Sequence, residues 1–472
     1  MPPCDWSPSS WQQRPSLHQP DYPDPAAARR CLGEIAELPP LVSSFEIERL
    51  REQLSEAAEG RRFLLQGGDC AERFADCRSP LIAAKLKILL RMGLVLSESG
   101  GREALLVGRI AGQYAKPRTA PTETIGGVTL PSYRGDLVNR AGFSAAERTP
   151  DPHLLLRAHS RAAMTLNFIR ALLDGGFGDP SHPEWWRLDD RTPTAKSAAM
   201  LESYERLVAQ RLARPERRLE RDSRPDFFTS REGLVLAFEE AQTRQVPHRA
   251  GWWNLSTHFP WIGARTLDPQ GGHVEYFRGL ENPIAIKIPP DLAPAKLVEL
   301  LEILDPKRTP GRITLVHRLG ASQVERLLPP LIAAAEGTRR RPLWVVDPMH
   351  GNTRVARLTL PDGATAEVRT RNFDEILAEI EASFAVHRRL GSVLGGVHFE
   401  LTGENVTECV GGSGGLSEGD LTRAYRSPID PRLNDEQSIE MALLVANRIR
   451  EGAAGESAGD RDRTCTGCPT RT

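Results

Sequence analysis

The chain has 472 residues, and its 61 Lys and Arg against 62 Asp and Glu leave a net charge of -1. That balance gives no general pull toward nucleic acid or membrane surfaces, and no apolar run approaches the roughly 18 residues that span a bilayer. Seven cysteines, an odd number in so long a chain, do not suggest a disulfide framework.

Taken in chain order, residues 1–60 form an N-terminal extension. It is rich in Pro and Trp at first, and helical over 44–54, where apolar residues recur at helical spacing. Met1-Pro-Pro-Cys-Asp-Trp6 lacks the basic and apolar regions of a signal peptide, so a reducing cytoplasm is expected and Cys70 is free to act as a thiolate. Residues 61–451 alternate short β-type runs with longer amphipathic segments. The predicted strands are 62–67, 104–110, about 225–229, 252–256, 283–288, 312–317, 342–347 and 395–401. Helical periodicity fills most gaps, for example at 157–173 and 293–304. Eight strands alternating with helices predict a parallel α/β fold. A closed (β/α)8 barrel is favoured over an open sheet, because polar endings are spread over nearly all strands instead of one switch point. Residues 452–472 have almost no apolar content and are expected to be a disordered tail. Its Cys465-Thr-Gly-Cys468 lacks the second pair or His partner that a metal site needs.

The strand endings carry the chemistry. Gln66-Gly-Gly-Asp-Cys70, Asp347-Pro-Met-His350 and His398-Phe-Glu400 follow or end buried runs. Cys70, His350 and Glu400, with Asp430 as a further candidate, offer sulfur, nitrogen and oxygen donors. That mixed set suits Mn, Co, Fe or Zn and is too soft for Mg or Ca alone. The alternative is a buried Cys, a core-facing His and two capping carboxylates. A second set is cationic: Arg109, Lys116, Arg118, Arg265, Lys287 and Arg318. A cation at the inner end of a buried strand needs an anionic partner, since burying it unpaired costs several kcal/mol. Protein carboxylates are one source of partners. An anionic ligand is the other, and bidentate Arg geometry fits phosphate or carboxylate. The residues alone thus predict a metal-assisted barrel enzyme acting on phosphorylated, carboxylated small molecules.

Longer strings carry a resemblance. Gln66-Gly-Gly-Asp-Cys-Ala-Glu72, Gly108-Arg-Ile-Ala-Gly-Gln-Tyr-Ala-Lys-Pro-Arg118, Tyr133-Arg-Gly-Asp136, Asp347-Pro-Met-His-Gly-Asn-Thr353, Thr402-Gly-Glu-Asn-Val-Thr-Glu-Cys409 and Asp430-Pro-Arg-Leu-Asn434 resemble the class II (plant-type) 3-deoxy-D-arabino-heptulosonate 7-phosphate (DAHP) synthases. The likeness runs in order from about residue 6 to about 450. It implies a (β/α)8 barrel with extra helices that condenses phosphoenolpyruvate with erythrose 4-phosphate and releases phosphate. That reaction opens the shikimate pathway and feeds some secondary pathways. It implies a divalent metal, Mn or Co first and Zn or Fe next, on Cys70, His350, Glu400 and Asp430. It implies a phosphoenolpyruvate site of Arg109, Arg265, Lys287 and Arg318, with Lys116 between the two substrates. It places Lys116, Arg109, Arg265 and His350 in the catalytic machinery, and it implies a homo-oligomer, most simply a dimer, with the N-terminal extension helping to build subunit contacts.

Departures from the family pattern cluster in a few places. Where the family has Trp-(Ile/Val)-Gly-Glu-Arg-Thr-Arg-Gln, this chain has Trp261-Ile-Gly-Ala264-Arg265-Thr-Leu267-Asp268. The family's Thr-Ser-His-Glu is Thr229-Ser-Arg231-Glu232. The loop after His350 is longer over 354–368, with an Asp362-Gly363 turn and Arg369 at the position of a family lysine. The resemblance places Ala264 and this loop where the aldose phosphate is held, with Arg118 and Arg369 among the substrate-binding residues. Retained enolpyruvate chemistry is therefore expected. Two alternatives remain: a sister synthase using another aldehyde, such as an amino-erythrose phosphate, and a catalytically silent paralogue.

Overall fold

The computed structural model describes residues 6–118, 120–179, 195–213, 225–359 and 365–463. Eight parallel strands close into a barrel: β1 (Arg62–Gly68), β2 (Glu103–Arg109), β3 (Phe227–Glu232), β4 (Phe259–Ile262), β5 (Ile284–Ile288), β6 (Ile313–His317), β7 (Leu343–Val346) and β8 (Leu394–Glu400). Each pairs with its neighbours in chain order, and β1 closes the ring on β8. The α/β class and the (β/α)8 architecture are those predicted.

Alternation along the strands sorts two cores. Leu64, Leu105, Val107, Phe228, Trp261, Ala285, Val316 and Val345 share one cluster in the barrel interior. Residues of opposite parity, among them Leu65, Leu106, Ile286, Leu315, Val346 and Val397, pack outward against the helices. The interior cluster also takes in Leu50, Leu54 and Ala57. These lie on the helix Ser44–Ala58, here α1, whose start is fixed by a reciprocal Ser43–Glu46 capping box. This part of the N-terminal extension therefore plugs the bottom of the barrel. Full burial of each leucine contributes ~1.5–3 kcal/mol. Upstream, Trp6 Nε1 donates to Glu275 O at 2.8 Å and Trp11 Nε1 to Glu240 Oε2 at 2.8 Å, which straps the chain across the barrel wall.

Three expectations change. The fourth strand is Phe259–Ile262, and 252–256 is not a barrel strand: Trp253–Asn254 instead pairs antiparallel with Thr243–Arg244. The true strand contains Pro260, which cannot donate to a ladder and masks the signal. The 354–368 segment is a hairpin, Arg354–Thr359 against Thr365–Thr370; its tip at 360–364, including the Asp362-Gly363 turn, lies outside the described residues. The last helix runs Asp435–Arg463, past the expected barrel boundary at 451. Residues 464–472, with Cys465 and Cys468, also lie outside the described residues.

Candidate active site

Strand parity aims the chemistry inward. Arg109 follows Leu105 and Val107, Lys287 follows Ala285, and Arg318 follows Val316 at two-residue spacing, all three preceded by interior residues. Across the ladder Gly68 lies level with both Glu400 and Arg109, so the ends of β8, β1 and β2 meet at one depth. Above them a cavity of about 420 Å³ is lined by Cys70, Arg109, Lys116, Arg118, Arg265, Lys287, Arg318, His350, Arg369 and Asp430, all singled out in the sequence. Glu400 is fully buried at its floor.

One side of the cavity gathers the metal-type donors. Ligand atoms of Cys70, Glu400 and Asp430 lie within 4.8 Å of one another, and Cys70 Sγ is 3.2 Å from Asp430 Oδ2. His350 joins through Nε2, 3.1 Å from Glu400 Oε1. Its other ring nitrogen is 2.8 Å from Asp347 Oδ2, which orients the ring. The Lys116 ammonium contacts both Cys70 and Asp430 and lies 3.8 Å from Glu400 Oε1. It stands where a cation among these donors would stand. Burial, the largest single influence, would raise the carboxyl of Asp430, but Lys116, Arg371 and His350 together hold the group below the usual range. Burial likewise opposes ionisation of Glu400, yet His350, Lys116 and Arg371 keep it ionised. Burial, with Asp430 and Glu400, pushes the Cys70 thiol up. Both Glu400 oxygens face cationic groups, Arg371 at 2.8 Å from Oε2 and Arg109 at 3.3 Å from Oε1. A thiol and two carboxylates gathered within 4.8 Å, with an imidazole beside one of them, are a donor set that fits a borderline divalent metal.

The other side gathers cations. Burial lowers Lys287 to about 8; Asp347, at 2.7 Å, pulls upward, and Arg109 and Arg318 push downward. Trp261 forms the wall between, with the Arg109 guanidinium 5.3 Å and the Lys287 ammonium 5.8 Å from its ring centre. Asp347 pairs with Lys287 and Glu400 with Arg109, Glu232 faces the same group of cations, and the guanidinium forks on this side have the geometry that matches phosphate or carboxylate.

Several residues that sequence reasoning passed over hold this arrangement. Asp347 bridges His350 and Lys287. His398 Nε2 is 2.7 Å from Arg109 Nη1. Arg371, fully buried, lies 2.8 Å from Glu400 Oε2 and donates to Thr353 Oγ1 at 2.9 Å. Glu379 accepts from the backbone of Leu319 and Gly320 at 2.9 Å and from Asn352 at 2.7 Å, tying together the loops that follow β6 and β7. Glu232 ends β3 and lines the cavity. Burial raises its carboxyl, and its Oε1 has no hydrogen-bond partner among the described residues. Its position at a strand end was the available signal.

The departures from the family pattern separate. Ala264 and Arg354 line the cavity, and any side chain at Gly263 would overlap the Glu232 carboxylate. Leu267 is buried in the outer core and is not among the residues lining the cavity. Arg231 is also turned away, paired with Glu239 at 3.0 Å. Arg369 reaches back to Asp430 Oδ1 at 2.7 Å.

Comparison with known proteins agrees along nearly the whole chain. A sequence model described as the class-II DAHP synthetase family matches residues 6–446. A phospho-2-dehydro-3-deoxyheptonate aldolase of Neurospora crassa is 42% identical over 467 residues, covering 94% of this chain and 95% of that one. One of Streptomyces coelicolor is 40% identical over 449 residues, covering 94% and 97%. One of Mycolicibacterium smegmatis is 39% identical over 454 residues, covering 93% of each.

Proposed function

The chain belongs to the class-II DAHP synthetase family, and from that premise we propose that it condenses phosphoenolpyruvate with erythrose 4-phosphate to give DAHP and phosphate. The observation that carries this is the pairing, in one cavity, of a sulfur, nitrogen and oxygen donor set with a cationic wall. Phosphate release that requires both substrates tests it. Release from phosphoenolpyruvate alone would contradict it.

Cys70, His350, Glu400 and Asp430 would hold a divalent ion, Mn or Co first, which supplies Lewis-acid polarisation of the aldehyde. Lys116, now seated among those donors, would carry its proton to the new hydroxyl. Arg109, Arg265, Lys287 and Arg318 bind the phosphate and carboxylate of phosphoenolpyruvate and orient its carbon 3 toward the aldehyde. Water adds at carbon 2 and phosphate leaves. Glu232 is the carboxylate this chain offers to that water, since Ala264 offers none. Arg118, Arg354 and Arg369 at the rim receive the acceptor's phosphate.

Lys287 binds the anion as an ammonium, and its value of about 8 sets a sign. Deprotonation with rising pH removes the charge, so kcat/KM for phosphoenolpyruvate falls above about pH 8. Bound anion raises that value, so the falling limb of kcat lies at higher pH than that of kcat/KM. Profiles from pH 6 to 10 check this; coincident limbs would contradict it.

Ala264 favours a second reading, a sister enzyme with a different aldehyde. If erythrose 4-phosphate is the acceptor, Ala264→Glu restores a family carboxylate and raises kcat, by about 10-fold for each ~1.4 kcal/mol of transition-state stabilisation. With a different native acceptor the same change abolishes the reaction. Equal rates with and without the substitution would remove position 264 from the site.

Leu17 and Phe45 are exposed apolar side chains of the N-terminal extension, which supports its use as a contact between copies. Light scattering at micromolar concentration is expected to give the mass of a dimer; a monomer would count against it. No helix among the described residues is long and apolar enough to cross a membrane, in keeping with the cytoplasmic location we infer.

A further inference from the structure

At the opposite end of the barrel, where β6 and β7 begin, a second cavity of about 310 Å³ opens. It lies between the C-terminal turn of α1, the 305–313 segment and the 339–342 segment. Arg308, Arg339, Arg340 and Arg341 line it, against two carboxylates, Glu59 and Asp305. Both carboxylates are engaged. Glu59 pairs with Arg61, and Asp305 Oδ1 accepts from the backbone of Thr309 at 2.8 Å. Arg340 is tied down, its Nε donating to Asp305 O at 2.9 Å. The side chains of Arg308, Arg339 and Arg341 have no ion-pair partner among the described residues.

The backbone adds a second observation. Among the described residues, five non-glycine positions have positive φ, and two of them are Arg308 (54°) and Arg339 (56°). Arginine rarely adopts that conformation. Here both instances flank one concavity and bring cations together. On a convex surface such side chains would diverge into water. Around one hollow, four arginines make a cationic rim that attracts an anion.

We propose that this cavity binds a small, multiply charged anion of the class of phosphate esters and polyphosphates. Its volume is in the range of small-molecule sites. Guanidinium forks match phosphate oxygens in pairs, and Ser55 and Thr309 are among the residues of the wall. The ligand is not a reacting substrate. Ile313 lines this cavity and Arg318 lines the reaction cavity, so the two are separated by the length of β6, ~17 Å at about 3.3 Å per residue.

The test is calorimetric titration of inorganic tripolyphosphate into the full chain and two variants. The wild type is expected to show two sites. Arg308→Gln with Arg341→Gln, both exposed, should lose one site by at least 10-fold while the KM for phosphoenolpyruvate stays unchanged, which also reports an intact fold. Arg318→Gln should lose the other site and keep this one. Two undiminished sites in the double variant would overturn the proposal. So would the loss of all binding in Arg318→Gln, which would assign every bound anion to the reaction cavity.

Discussion

Stripped of divalent metal by a chelator, the enzyme is expected to lose all turnover and to regain it with Mn or Co. Cys70→Ser is the sharper form of this prediction. The thiol is buried, 3.2 Å from Asp430 and in contact with Lys116. Replacing sulfur by oxygen changes the softest donor and little of the volume. Metal affinity should fall by at least ~10-fold, the low end of the effect of losing even an outer-shell partner. The cobalt form of the wild type should show a sulfur-to-metal charge-transfer band that the variant lacks. Glu400→Gln is a blunter probe, because it also strands the fully buried Arg371. Breaking such a pair costs ~3–5 kcal/mol, and instability would be confused with loss of the ion. Full activity in a metal-free preparation would contradict this part of the account.

Glu232→Gln should lower kcat by about 10²–10⁴, the usual range for loss of a general base, with little change in the KM for phosphoenolpyruvate. The substitution keeps shape and removes charge. Glu232 is buried, its carboxyl is raised by that burial despite Lys116, Arg109, Arg265 and Lys287 nearby, and one oxygen, over Gly263, has no hydrogen-bond partner among the described residues. A group that acts only on the water attacking carbon 2 matters in the transition state and not in substrate binding. A role limited to neutralising the surrounding cations would produce the opposite pattern. Removing the negative charge would then tighten binding of phosphoenolpyruvate and leave kcat nearly unchanged.

How far the sequence revealed this protein depends on which kind of signal each feature used. Seven strands were legible because buried parallel strands are short apolar runs with sharp polar endings. The fourth was not: Trp252-Trp-Asn-Leu255 has the composition of a strand, whereas Phe259–Ile262 contains a proline. Cys70, Arg109, His350 and Glu400 were legible because each follows or ends such a run, and in a barrel those ends converge. Asp347 and His398 sit in the same stretches, yet what they do depends on partners far away in sequence, Lys287 for one and Arg109 for the other. Arg371 pairs with Glu400 through a hairpin whose fold the sequence did not show. At Leu267 the basic residue of the family pattern is replaced by one that packs in the core.

The central claim is that this cavity joins phosphoenolpyruvate to a four-carbon aldose phosphate. Mass spectrometry of the product formed from phosphoenolpyruvate labelled with ¹³C at carbon 3, together with erythrose 4-phosphate, tests it most directly. The account predicts a labelled seven-carbon keto acid phosphate appearing in step with free phosphate. Unreacted substrates in that mixture, alongside a labelled product from a different aldehyde phosphate under the same conditions, would contradict it.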